Sequence, residues 1–220
     1  MFNIAIDGPA GAGKSSIAKA VSAELGFIYV DTGALYRAVG LHAIRNNIDT
    51  KDVENITAML TDVSVDLKFV NGEQRVILNG DDVSAEIRFP EASMAASNVS
   101  AIPSVRSFLF DLQRKIASEN NCIMDGRDIG TVVLPNASLK IFLTASPEAR
   151  AKRRYDELIA KGTDVNFDDV LADLNERDYQ DTHREIAPLK PAADSVLLDT
   201  TDLTFAEVQA KIKELAEERL

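Results

Sequence analysis

At 220 residues, with 45% hydrophobic and 27% charged side chains, the chain has the make-up of one folded globular protein and not of a disordered or fibrous one. Its net charge of −11 disfavours general attraction to nucleic acid or to anionic membranes, so an anionic ligand has to be held by a local cluster of cations. The one cysteine, Cys122 in the apolar run CIM, excludes a disulfide within the chain and reads as a small buried hydrophobe; with no leader-like stretch and no long apolar segment, a cytosolic protein is expected.

Phe2 to Ile6 is apolar and β-prone, and it runs into the glycine-rich stretch DGPAGAGKSS and then a helix, Ser16 to Leu25, with Ile17, Val21 and Leu25 on one face. Gly8, Gly13, Lys14 and Ser15 fit G-x-x-x-x-G-K-[ST], a spacing in which each fixed position has a task in holding a polyphosphate. Gly8, Gly11 and Gly13 permit turns in which successive N–H groups converge on phosphate oxygens. Lys14 supplies a mobile positive charge for the β- and γ-phosphates, Ser15 a hydroxyl for Mg²⁺, and the following helix its positive dipole end.

Phe27 to Val30 is a second short strand, followed by a helix over Ala34 to Asn46 with Leu35, Val39 and Leu41 apolar. Strands alternating with helices predict a parallel sheet with helices on both faces and ligands at the carboxyl ends of its strands. Asp31, Thr32, Tyr36 and Arg37 stand at such an end, although Asp31 or Thr32 reads equally as a helix cap.

From Lys51 to about Met94 the pattern changes. A helix over Asp52 to Leu60 precedes two alternating strands, Ser64 to Val70 and Gln74 to Leu78, joined by a tight turn at Asn71-Gly72. A turn at Asn79-Gly80-Asp81-Asp82 then leads to a third strand at Val83 to Ala85. An antiparallel patch inside a parallel α/β chain is most simply an inserted subdomain. Pro90 to Ala96 and Ser104 to Ala117 read as helices, the second burying Val105, Phe108, Leu109, Leu112 and Ile116.

Asn121 to Met124 resumes the core and ends in DGRDIG, where Asp125, Arg127 and Asp128 are costly at a buried strand end unless they face a ligand. Leu139 to Thr144 is another buried strand, and Ser146-Pro147 starts a helix that carries Arg150, Lys152, Arg153 and Arg154. After the break at Gly162 to Phe167, a charged helix over Asp168 to Asp181 includes Arg177 and Asp178, with Arg184 beyond it. Cations recurring in an acidic chain that binds nucleotides suggest a cover that closes over them. Ser195 to Leu198 is the last strand and Thr204 to Arg219 the last helix.

IDGPAGAGKSS, DTGALYRA, DGRDIGTVV with KIFLTAS, and NERDYQDTHREIAPL resemble the bacterial cytidylate kinases in order and spacing, over essentially the whole chain and including the antiparallel patch. DTG stands where many members have DSG, a change that keeps the hydroxyl. The resemblance implies an α/β P-loop kinase: a parallel sheet flanked by helices, with a core over about 1–50, 100–150 and 190–220, an inserted small antiparallel β subdomain for the monophosphate over about 51–99 and a helical lid over about 151–187. It implies a monomer that phosphorylates CMP and dCMP with ATP and Mg²⁺, UMP being a poor substrate. It places the ATP phosphates on Gly8, Pro9, Ala10, Gly11, Ala12, Gly13, Lys14, Ser15 and Ser16, with Mg²⁺ reached by Ser15. The acceptor phosphate falls near Thr32, Arg37 and Arg127, cytosine near Ser97, Arg106 and Asp128, and the sugar near Arg177 and Asp181. Arg184, Arg153 and Arg154 are further phosphate contacts, and Lys14, Arg127, Arg153 and Arg184 form the catalytic set.

Two other readings remain open. A P-loop switch would normally show the guanine-reading motif N-K-x-D, which is absent here, and a P-loop kinase of similar build could act on another small acceptor such as UMP or AMP.

Overall fold

A computed structural model describes residues 1–70 and 72–220. The strands are β1 (Asn3–Asp7), β2 (Ile28–Asp31), β3 (Val65–Val70), β4 (Glu73–Leu78), β5 (Asp81–Asp82), β6 (Cys122–Gly126), β7 (Leu139–Thr144) and β8 (Val196–Asp199). The α-helices are α1 (Lys14–Leu25), α2 (Thr32–Arg45), α3 (Val53–Met59), α4 (Pro90–Ser100), α5 (Pro103–Glu119), α6 (Pro147–Ala160), α7 (Phe167–His183) and α8 (Phe205–Glu217). The chain forms two compact units, one over Ile28–Asn121 and the other over Phe2–Phe27 with Cys122–Leu220.

The second unit holds the parallel strands in the order β6, β1, β7, β8. Ile4 lies opposite Ile123 and Leu139, Ile6 opposite Asp125 and Ile141, and Leu143 opposite Leu198. Near-continuous apolar runs such as NIAID and LKIFLT are what a sheet covered on both faces requires, and Ile4, Ile6, Ile123, Met124, Ile141 and Leu143 are fully buried. Because β1 and β6 run parallel with Asp7 opposite Gly126, both strands deliver the loops that follow them to one edge. The expected cap at Ser146 is present, accepting from the Ala149 amide with Pro147 in the first turn, and the structure adds a capping box of Thr204 with Glu207. Helices α6 and α7 have a small core of their own, Ala151, Val170 and Leu174 around Ala10, with Tyr155 edge-on to Phe167. Cys122 is buried, as expected, and its thiol donates to Asn3 Oδ1.

In the first unit β3, β4 and β5 form an antiparallel sheet in which Leu67 pairs with Val76 and Val65 with Leu78. The expected turn at Asn71-Gly72 includes Asn71, which lies outside the described residues. The third strand is at Asp81–Asp82, two residues earlier than the expected Val83 to Ala85. Asn79 and Gly80 both take positive φ (51° and 92°), so two residues reverse the chain and Asp81 already pairs with Leu78. Helix α2 packs closely on α4, since a Cβ at Gly40 would come within 2.7 Å of Ala95 Cβ. On α5 the buried face is Val105, Arg106, Leu109, Gln113 and Ile116, whereas Phe108 and Leu112 are only half-buried. Gln113 is admitted because its amide donates to the Leu109 carbonyl one turn back. Among the described residues no helix is long and apolar enough to cross a membrane.

Candidate active site

The loop after β1 is shaped by three glycines at positive φ, Gly8 (153°), Gly11 (73°) and Gly13 (86°). At Gly8 the constraint is contact as well as torsion, because a Cβ there would lie 1.9 Å from the Leu143 carbonyl oxygen. Gly13 is the N-cap of α1 and has no side chain to satisfy the first amides of the helix, so these donors and the helix dipole are left to an anion. Lys14 is buried, with its ammonium 2.7 Å from the Pro9 carbonyl oxygen. The Ser15 hydroxyl donates to Asp125 Oδ2 at 2.7 Å, tying the loop after β1 to the end of β6.

The segment after β6, the end of α7 and the end of β1 supply the remaining charges of this cluster. Arg127 donates through Nε to Asp181 Oδ2 of α7 at 2.6 Å, and Arg184 stands 3.6 Å from Asp128 Oδ1 and 4.0 Å from Asp181 Oδ1. Asp7, the last residue of β1, accepts the amides of Ile129 and Gly130 at 2.7 Å each. These bonds set the start of a single π turn over Ile129–Val133, an irregularity frequent at functional sites.

The charges perturb one another. Burial, with the neighbouring Arg127 guanidinium, pulls the Lys14 ammonium down to about 7 against the opposing pull of Asp125, Asp181 and Asp7. Burial pushes the Asp7 carboxyl up to about 6, although its two backbone amides favour the charged form. Burial also works against the Arg127 charge, but Asp181, with Asp125 and Asp178 behind it, more than offsets that and holds it above the ordinary arginine range. Asp181, despite burial, is held below the usual carboxylate range by Arg127 and then Arg184. Arg177 is lowered by burial and by Arg127. Strongly perturbed groups converging on a helix N-terminus mark a functional site on physical grounds.

The structure thus brings together Lys14, Ser15, Asp125, Arg127, Asp128, Asp181 and Arg184. It does not bring Arg153 or Arg154 to them: Arg153 donates to the Thr200 side chain at 3.0 Å and to its carbonyl oxygen, and Arg154 pairs with Glu157. Arg177 lies 3.8 Å from Asp173 on its own helix.

The first unit carries the other expected residues. Asp31 does cap α2, accepting from the Ala34 amide, and its second oxygen pairs with Arg37 at 2.6 Å, so capping and ion pairing share one carboxylate. Arg37 Nε is buried and makes no hydrogen bond. The Arg106 guanidinium sits 5.9 Å from the Tyr36 ring centroid and donates to the Ser100 carbonyl. Thr32 and Tyr36 are buried, and Ser97 is half-buried on α4. The Gln74 amide clamps both backbone groups of Asp31, a link that sequence reading missed. It also missed Asp7, whose only signal is an acid ending an apolar strand, and Arg150 with Asp178, which look like surface charges on helices.

Comparison with known proteins decides the family. The profile of the family described as "Cytidylate kinase" matches residues 4–218. The chain belongs to the cytidylate kinase family. It is 52% identical to a cytidylate kinase of Caldicellulosiruptor bescii, over 97% of this chain and 95% of that one. It is 49% identical to the cytidylate kinase of Lactobacillus johnsonii over 100% and 95%, and 53% identical to that of Caldanaerobacter subterraneus over 96% and 92%. Among solved structures it resembles an uncharacterized protein from Eubacterium ventriosum (TM-score 0.54, 13% identity, 99% of each chain). It also resembles the shikimate kinase of Bacteroides thetaiotaomicron (TM-score 0.51, 12% identity, 98% of each chain). These two likenesses concern the fold, which is that of a P-loop kinase with a cytidylate kinase sequence laid on it.

Proposed function

We propose that this chain transfers the γ-phosphoryl group of ATP to CMP and dCMP, giving CDP and dCDP. The observation that carries the reading is the convergence of Lys14, Ser15, Asp125, Arg127 and Arg184 beside the uncapped N-terminus of α1, in a chain of the cytidylate kinase family. Phosphoryl transfer needs alignment and charge neutralisation more than a protein nucleophile, and this cluster supplies both.

The loop amides from Gly8 to Ser16 hold the β- and γ-phosphates, and Lys14 exchanges the Pro9 carbonyl for a phosphate oxygen. Arg127 is aimed in advance by Asp181 and meets the charge that develops on the transferred group, with Arg184 beside it. Ser15 and Asp125 present hard oxygens within hydrogen-bond distance of each other, a donor pair that fits Mg²⁺. Among the described residues no group of three acidic, His or Cys side chains could hold a metal, so phosphate oxygens would complete its shell. When bound, the ion neutralises phosphate charge.

In the first unit, Arg37 and Thr32 serve the acceptor phosphate, the unbonded Arg37 Nε being a donor that an anion would satisfy. Asp128 accepts from the 4-amino group of cytosine, and Arg106 and Ser97 donate to its ring. Arg177 and Asp181 serve the sugar, and residues 151–187 close as a lid that excludes water as a competing acceptor. Arg153 joins the phosphates only by giving up Thr200. The buried thiol of Cys122 suits a reducing cytoplasmic setting, and the enzyme acts as a monomer.

An ADP-release assay with ATP and Mg²⁺ against CMP, dCMP, UMP, AMP and GMP tests the reading. Turnover fastest with CMP or dCMP supports it. A preference for AMP or UMP, or nucleotide binding with no transfer to any monophosphate, would overturn it.

A further inference from the structure

Arg150 is a buried cation that the chemistry above does not use. It belongs to α6, yet its guanidinium spends its donors on three other segments. Nε donates to the Ala145 carbonyl after β7 at 3.0 Å, Nη1 donates to the Ala10 carbonyl of the phosphate loop at 2.8 Å, and Nη2 pairs with Asp178 Oδ2 of α7 at 2.6 Å. Asp178 commits one oxygen to this pair, and its other oxygen is buried without a hydrogen bond. A half-buried carboxylate with one oxygen shut away from solvent depends on Arg150, and the buried Arg150 on it, because either charge alone would be left poorly compensated.

The surroundings make the arrangement specific to the phosphate loop. A Cβ at Gly11 would lie 3.3 Å from Arg150 Cβ and 3.5 Å from Leu174 Cδ1. Leu174, Asp178 and Asp181 follow one another at i, i+4 and i+7 along one face of α7. Leu174 packs with Ala10, Asp178 holds Arg150, and Asp181 holds Arg127 and acts on the Lys14 charge. One helical stripe therefore touches the phosphate loop directly, through Arg150, and through Arg127.

We infer that Arg150, tensioned by Asp178, is a positioning residue that sets the orientation of the Ala10–Gly11 peptide and so couples the place of α7 to the shape of the phosphate loop. The peptide unit is planar and trans, with its carbonyl and its amide on opposite sides. Fixing the Ala10 oxygen on Nη1 thereby fixes where the Gly11 N–H points, and loop amides are what a triphosphate is held by. The coupling is reciprocal: whatever seats α7 favours the loop geometry that binds ATP, and ATP on the loop favours that seat of α7.

The inference rests on the proposed kinase reading, and its test separates the two. Asp178→Asn removes the charge that tensions Arg150 while keeping shape, and Arg150→Lys keeps a charge without the fork that reaches three segments. In each variant the dissociation constant of a non-hydrolysable ATP analogue, measured without acceptor, and the KM for ATP should weaken on the order of tenfold, while the KM for CMP moves less than about twofold. Should Arg150→Lys fail to fold, Asp178→Asn carries the test alone. Both KM values rising together, or a loss of kcat and melting temperature with neither KM nor analogue affinity changed, would overturn the inference and leave the pair as a structural tie. A native protein that binds the analogue but does not phosphorylate CMP would overturn the kinase reading instead, and the analogue affinities of the variants would still decide this one.

Discussion

Lys14 offers a quantitative test of how the site is charged before nucleotide arrives. Its ammonium is buried and faces Arg127, and although Asp125, Asp181 and Asp7 oppose these effects, it sits at about 7 instead of the ordinary 10.5. At pH 8 a group with that value holds its proton in only about a tenth of molecules. A polyphosphate on the loop adds several negative charges next to the ammonium, restores the charged form, and so draws in about 0.9 proton per nucleotide at pH 8, about half a proton at pH 7 and about a tenth at pH 6. Asp7, at about 6, is ionised throughout at pH 8 and adds little there. Calorimetric titration with a non-hydrolysable ATP analogue, repeated in buffers of different ionisation enthalpy, gives the proton count as a slope. Lys14→Met should abolish the uptake and lower turnover on the order of 10²-fold or more with the fold intact. No uptake at pH 8 in the native protein, or equal uptake in Lys14→Met, would refute the charge state assigned to Lys14.

Three further outcomes are expected. Because the Asp7 carboxyl is raised from 3.8 to about 6, the folded state binds more protons than the unfolded one between those values and this group's contribution falls as pH rises through them. The stability difference between native protein and Asp7→Asn should therefore move by about 3 kcal/mol in the variant's favour from pH 3.5 to 7 in urea titrations, and a pH-independent difference would contradict it. Gly8→Ala meets the Leu143 carbonyl as well as a positive φ and should lose about 3 kcal/mol or more, whereas Gly13→Ala, with open space for a Cβ, should lose about 1 kcal/mol; equal losses by thermal melting would refute the steric argument. Asp128→Ala should harm CMP far more than UMP, narrowing a kcat/KM ratio of roughly 10²-fold or greater, because the acceptor proposed to read the base is gone; an unchanged ratio with both rates reduced would make Asp128 a positioning group.

The phosphate loop was legible in sequence because its requirements are local: a strand, glycines at fixed offsets, Lys14 and Ser15, each residue answering to its immediate neighbours. The same holds for the cap at Ser146 and for the apolar strands. The third strand lies two residues before the expected Val83 because the Asn79-Gly80 pair turns the chain by itself, whereas Asp81 and Asp82 look like turn residues and in fact pair with Leu78 and Ile77. On α5 the apolar pattern favoured Phe108 and Leu112 over Gln113, and only the intrahelical bond to Leu109 reveals how a polar side chain can be buried there. Asp7, Arg150 and Asp178 were not legible as site residues. Their meaning lies in partners far along the chain, Ile129 and Gly130 for Asp7 and Ala10 for Arg150, and no local pattern announces a charge whose partner is distant. For Arg153, which the family resemblance puts among the phosphate contacts, the structure adds a partner that no local pattern announces, Thr200, forty-seven residues further along the chain.

The central claim is transfer between two nucleotides at the Lys14 and Arg127 cluster, and the most direct measurement is the phosphorus NMR spectrum of the protein with ATP, Mg²⁺ and CMP. The account predicts one CDP for each ADP formed, with free phosphate negligible and both products forming on the order of 10²-fold or more slowly in Lys14→Met. ADP appearing with free phosphate and no CDP would contradict it, since the loop would then be hydrolysing ATP without an acceptor.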